Sequence, residues 1–188
     1  MLLADSADTR VILPEGNRQA IVTHCLQVLA AFAKTGAGEC RAFGLIAGAV
    51  SGHVVTVARC LPLHCNVRSR PPYKEYVDRV MAEHAVPSQT PLSQRGWVAA
   101  PDELLERVKE IRRQGHTLLG TYHMHRVGWA HDPLRDTPTR VDTVLARESR
   151  LLMFIVSMVE PDRPLIRAFY EGIKEREIPI IRLERETH

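Results

Sequence analysis

Apolar residues recur along this chain with two periods, about 3.6 and 2 residues, and the switches between them divide it into elements. Val11-Ile12-Leu13 reads as a short strand stopped by Pro14 and Gly16. From Asn17 to Lys34, Ile21, Cys25, Val28, Leu29 and Phe32 fall at helical spacing, which predicts one buried helix face with Asn17 as the cap. Thr35-Gly36-Ala37-Gly38 breaks that helix. Phe43 to Val50 and Val54 to Ala58 read as strands joined by a turn at Ser51-Gly52, the second leaving the sheet near Pro62. Helical spacing returns at Tyr73, Val77, Val80, Met81 and His84, inside a stretch (67–96) otherwise rich in Arg, Pro and turn residues. Pro101 opens a helix with Asp102 and Glu103 in its first turn, Leu104, Leu105, Val108 and Ile111 toward the core, and a stop at Gly115.

A strand from Thr117 to Tyr122 follows, then a helix from Pro138 to Ser149 with Thr137 as its cap. Leu151 to Val159 is almost wholly apolar and should be a central strand covered on both faces. Pro161 to Pro164 turns the chain into a last strand, Leu165 to Tyr170. The order predicts a mixed α/β fold over residues 1–172, a sheet with helices on both sides. Residues 173–188 read as a charged tail or an edge strand around Ile178-Pro179-Ile180-Ile181.

Composition narrows the classes. At 188 residues with 45% hydrophobic residues, one core and one domain are expected. A net charge of +3 is too small to argue for nucleic acid. There is no run of about 18 apolar residues, so no membrane span is expected. The opening MLLADSADTR lacks a secretory pattern, which points to the cytoplasm. There Cys25, Cys40, Cys60 and Cys65 are expected reduced, with Cys25 in the core. Cys60 and Cys65 with His64 are a second, weaker metal candidate, short of the paired C-x(2–4)-C spacing of structural sites.

The chemistry concentrates in LLGTYHMHRVGWAHDPLRDTPTRVD, residues 118–142. His123 and His125 are spaced i, i+2, which on a strand puts both imidazoles on one side. Asp136 follows just before the expected helix. Two imidazoles and a carboxylate make three corners of a tetrahedral Zn²⁺ site whose fourth corner is left for water. His131 and Asp132 are rival ligands that spacing does not exclude.

This segment resembles the JAMM (MPN+, JAB) metalloprotease signature H-x-H-x(10)-D. Trp97 to His125 is similar to that family's helix-then-strand approach, Phe43 to Gly48 to its first glycine-containing core strand, and LLMFIVSMVEPDRPLIRAF to its closing strand pair. Asn66 falls where the family often has asparagine. The likeness runs over residues 10–172. It implies a curved mixed sheet flanked by helices, similar to cytidine deaminase, and Zn²⁺ held by His123, His125 and Asp136. It also implies a glutamate as general base, for which Glu39 is the candidate, five residues before Gly44 where the family has three.

The activity implied is cleavage of a peptide or isopeptide bond near the C-terminus of a small ubiquitin-like or sulfur-carrier protein. Neither nucleic acid nor membrane is expected as a partner, and a homodimer is compatible. Basic Arg68 and Arg70 would suit an acidic partner. One departure matters: the family serine three before the aspartate is Pro133 here, which cannot donate to an oxyanion. Arg126 and Arg135 could supply a cation instead, for an oxyanion or a substrate carboxylate. The alternative is a weak or inactive MPN-type scaffold.

Overall fold

The computed structural model describes residues 8–36, 40–87, 91–92 and 95–181. In chain order these form β1 (Arg10–Ile12), α1 (Glu15–Thr35), β2 (Phe43–Ser51), β3 (Val54–Leu63), α2 (Tyr73–His84), α3 (Pro101–Arg113) and β4 (Thr117–His125). They continue with α4 (Arg140–Ala146), β5 (Leu152–Ser157), β6 (Leu165–Tyr170), β7 (Glu177–Ile178) and β8 (Ile180–Ile181). The strands make one sheet in the order β7-β6-β5-β4-β2-β3-β1-β8. It is mixed: β1 runs parallel to β3 and β8, β4 runs parallel to β5, and the other pairs are antiparallel. The expected α/β architecture is the one observed. Among the described residues no helix is long and apolar enough to cross a membrane.

Helices cover both faces because the strands are apolar on both. On one face Ile21 and Cys25 of α1 pack against Val11, Val55, Val57, Tyr122, Phe154, Ala168 and Ile178. On the other, Ile111 of α3 covers Leu45, Ala47, Leu61 and Leu63. Ala146 of α4 lies against Met153, Ile155 and Phe169. α2 rests on α4 through Val77, Val80, Met81 and Val141. Every residue of β5 is buried, as its unbroken apolar sequence requires.

The sheet curves until its two edges are next to each other in sequence. β7 pairs with β6 at one edge and β8 pairs with β1 at the other, with only Pro179 between them. The Val11 N–H donates to the Pro179 carbonyl at 2.8 Å. The stretch read as tail or edge strand thus carries strands at both edges.

A bulge in β4 decides which way the two histidines face. Ile46 pairs with Gly120 but Ala47 with Leu118, so Leu119 is the extra residue. Side-chain parity flips across it: Leu118 faces the α3 side, while Leu119, Tyr122 and Met124 face α1. His123 and His125 are left on the side where α4 begins.

Gly44 is required where Tyr122 crosses β2. A Cβ there would stand 2.3 Å from Tyr122 Cε1 and 2.6 Å from the Leu61 carbonyl oxygen. Tyr122 cannot swing away, since it is fully buried and its hydroxyl lies 2.8 Å from His24 Nδ1. Gly44→Ala should therefore cost about 1–3 kcal/mol of overpacking. Thermal unfolding checks this, and an unchanged midpoint would contradict the contact.

Several sequence expectations need correction. β3 does not leave the sheet near Pro62: it continues to Leu63, with Pro62 opposite Gly44. A proline is tolerated there because β1 pairs only with residues 54–56, leaving that side of β3 unpaired. Asn17 is not the cap of α1; the Pro14 carbonyl accepts from the Asn17 and Arg18 N–H groups, and Asn17 Nδ2 donates to the Val57 carbonyl. Leu105 points to solvent, 53% exposed. Arg68 is not a surface for an acidic partner: it is 1% exposed and bonded to Asp78 at 2.6 Å and to the carbonyls of Leu92 and Arg95.

Candidate metal centre

Three groups converge where β4 ends and α4 begins. His123 Nε2 and His125 Nε2 lie 3.1 Å apart. Asp142 Oδ1 is 3.5 Å from the first and Oδ2 is 3.8 Å from the second. The ligand atoms all fall within 4.8 Å of one another, and among the described residues no other group of three His, Cys, Asp or Glu does this.

Each side chain is held by a local device. Phe43 stacks between Trp97 and His123, with centroid separations of 5.7 and 6.3 Å. His125 Nδ1 lies 2.8 Å from the Arg135 carbonyl oxygen. A carbonyl only accepts, so Nδ1 carries the proton and Nε2 presents its lone pair to the cluster. Asp142 is the third residue of α4 and closes a capping box with Thr139. Its Oδ2 accepts from the Thr139 N–H at 2.7 Å and hydroxyl at 2.8 Å, which leaves Oδ1 turned toward His123.

Burial disfavours charge on both imidazoles and pushes their pKa values below the ordinary histidine value; the nearby Asp142 carboxylate opposes the shift without reversing it. Burial alone would raise Asp142. The two imidazoles, then the Thr139 bonds, hold it below the usual carboxylate value instead. Burial thus favours unprotonated imidazoles, the direction a metal needs of its nitrogen ligands.

Two imidazole nitrogens and a carboxylate oxygen are donor types that suit a tetrahedral ion. Bonds of about 2.0–2.1 Å at tetrahedral angles separate ligand atoms by about 3.3–3.4 Å. The imidazole nitrogens, 3.1 Å apart, and Oδ1, 3.5 Å from His123, lie close to that value; the 3.8 Å approach to His125 is made by the other carboxylate oxygen, and with one donor atom from each residue the set spans up to 4.8 Å, so the carboxylate must turn to close on one ion.

The cluster brings together the two histidines singled out in the sequence, but its carboxylate is Asp142, and Asp136 lies outside it. Asp136 Oδ2 lies 3.1 Å from Arg167 Nη1, an ion pair to β6. The cap moves in parallel, from Thr137 to Thr139. The cause is a longer loop. Trp129 and Asp132 exchange backbone bonds of 3.0 and 3.1 Å in a small turn, followed by Arg135 in the left-handed region at φ 48°. The rivals are also placed: His131 is exposed beside Trp129, and Asp132 accepts from the Thr137 hydroxyl at 2.9 Å. Cys60, Cys65 and His64 do not form a ligand group; all four cysteines are free thiols. Arg126 lies over the Phe32 ring at 5.6 Å. Glu39 lies outside the described residues; Gly36 and Cys40 on either side of that gap line the cleft, about 870 Å³, that contains the cluster.

No family model and no curated protein matches the chain. Solved structures do. A protein from Desulfitobacterium hafniense, determined in solution, is 24% identical over 95% of this chain and 96% of that one, with a TM-score of 0.62. Another solution structure, from Salinibacter ruber, is 18% identical over 95% and 94%, with a TM-score of 0.51. A crystal structure of a JAB1/MPN domain protein from Archaeoglobus fulgidus is 14% identical over 94% and 100%, with a TM-score of 0.44. The first two likenesses show a shared fold. The fold and the cluster together define an α/β domain whose His123, His125 and Asp142 could hold a metal.

Proposed function

We propose that the protein is a JAMM-type zinc metallo-(iso)peptidase. It would hydrolyse a peptide or isopeptide bond near the C-terminus of a ubiquitin-like or sulfur-carrier protein. The observation that carries this reading is the His123–His125–Asp142 cluster, its donor atoms gathered within 4.8 Å and the His125 tautomer fixed by the Arg135 carbonyl. Placing the aspartate at 142 also changes the departure noted from the resemblance, restoring a hydroxyl whose proton goes to Asp142 Oδ2. The residue three before it is now Thr139, a hydroxyl where the family has serine, and not Pro133. The remaining difference is length, sixteen residues between His125 and Asp142 where the motif has ten.

In this reading His123, His125 and Asp142 hold the metal, and Thr139 positions the carboxylate through its N–H and its hydroxyl. A bound zinc would supply Lewis acidity and bring the pKa of a coordinated water to about 7. Glu39, assigned from its place in the sequence, accepts a proton and returns it to the departing amine. The substrate tail would enter extended, as an added strand. The substrate class comes from the resemblance.

The test is metal content joined to cleavage. Protein made with ample zinc should carry one zinc per chain, lost to a chelator, and should cut a ubiquitin-like protein extended beyond Gly-Gly. Glu39→Gln should keep the zinc and lose turnover. Zinc-free protein under those conditions would sink the peptidase reading and favour a scaffold.

A further inference from the structure

Two neighbouring side chains on the sheet hold the end of the long loop that follows β4. His125 and Ser157 stand opposite each other in the parallel pairing of β4 with β5, so both side chains project from one face of the sheet. The loop returns to them after Trp129 and Asp132 have closed their turn, and it meets them with two successive carbonyls. The Leu134 carbonyl accepts from the Ser157 hydroxyl, and the Arg135 carbonyl accepts from His125 Nδ1 at 2.8 Å.

That arrangement makes a demand on the backbone. Successive carbonyls point to opposite sides of an extended chain and to the same side of a helical one. The residue between these two carbonyls is Arg135, and it is left-handed at φ 48°, a conformation that costs energy in any residue but glycine. Its guanidinium lies over the Trp129 ring, 3.2 Å from the centroid, with Nε and Nη1 closed to solvent, so what Arg135 presents to His125 is its carbonyl. The sheet is the fixed partner in these contacts. Ser157 is 3% exposed whereas Leu134 is 43% exposed, and the His125 carbonyl is held in the β4–β5 ladder by the Met158 N–H at 2.7 Å.

We infer that Ser157 is a positioning residue of the metal centre: by holding the Leu134 carbonyl it keeps the Arg135 carbonyl on His125 Nδ1, which aims the Nε2 lone pair at the cluster. The inference rests on the metal-centre reading above. It also accounts for the sixteen residues between His125 and Asp142. The turn around Trp129 lengthens the loop without moving the cluster, because the chain is brought back to β5 at Leu134, five residues before the Thr139 cap.

The imidazole itself reports on this. In the metal-free chain with isotope-labelled histidine, at about pH 8 where neutral imidazole prevails, proton–nitrogen correlations show which ring nitrogen carries the proton. Wild type should show His125 protonated at Nδ1. Ser157→Ala should shift His125 toward the other tautomer and weaken zinc binding about 10–100-fold, the range for outer partners of metal ligands. Ser157→Thr, which keeps the hydroxyl, should restore both. An unchanged tautomer or an unchanged zinc affinity in Ser157→Ala, whatever its melting midpoint, overturns the inference, because the hydroxyl then serves the fold alone. A folded Ser157→Thr that behaves like Ser157→Ala overturns it too. Should Ser157→Ala not fold, Ser157→Cys replaces the hydroxyl with a weak donor, and a wild-type tautomer in its metal-free form has the same force. Failure of the peptidase reading looks different: wild type that holds His125 protonated at Nδ1 and takes no zinc removes the peptidase and leaves the Ser157 contact to be decided by the tautomer alone.

Discussion

Asp142→Asn is expected to lose its zinc, and Asp136→Asn to keep it. The first change removes the carboxylate charge from a cluster whose other members are imidazoles. Outer partners of metal ligands typically carry 10–100-fold in affinity, so removing a ligand should cost at least about 100-fold. The fold should survive, because an asparagine oxygen still accepts from the Thr139 N–H that Asp142 now satisfies. Asp136→Asn breaks only the ion pair with Arg167, whose side chain is 33% exposed, and should cost at most about 1 kcal/mol. Elemental analysis after dialysis, with thermal unfolding as the control, decides between them. Zinc retained in Asp142→Asn and lost in Asp136→Asn would show that the metal sits elsewhere.

Ile178→Ala should be the more damaging change to stability. Ile178 is 6% exposed and packs into the α1-side core from β7, although it lies in a stretch that the sequence presents as a tail. Truncating it should cost about 2–5 kcal/mol, the range for a buried Ile. In a domain of this size that lowers the melting midpoint by roughly 4–20 °C. Three residues on, Ile181 is 36% exposed, and Ile181→Ala should stay within about 0.5 kcal/mol. Similar midpoints for the two variants would mean that β7 contributes no core.

Periodicity was enough to find most of the elements. The apolar face of α1 and the unbroken run of β5 each carry their own signal, and the H-x-H spacing on a strand dictated that the imidazoles share a side. The missed carboxylate of the cluster had a signal too. Two threonines compete for the cap of α4, and the proline after Thr137 favoured the wrong one. Three residues after Thr137 stands Arg140, which cannot accept from the cap N–H; three after Thr139 stands Asp142, which can. Weighing that reciprocal pair above the proline would have moved the cap and nominated Asp142 together.

Other features had no local signal. The Leu119 bulge arises from the register of β2 against β4, and neither strand alone reveals it. Arg68 reads as surface until Asp78 and two distant carbonyls are placed around it. Pro62 reads as a strand breaker until the short length of β1 leaves that side of β3 unpaired.

The pairing of β7 and β8 with opposite edges of the sheet sets an order on biosynthesis. A ribosome that has released the chain through Tyr170 has delivered every strand of the described residues except these two. Until they emerge, β1 and β6 each present an open row of backbone donors and acceptors, the template on which nascent chains stick to one another. The last few described residues to be translated are the ones that end that exposure.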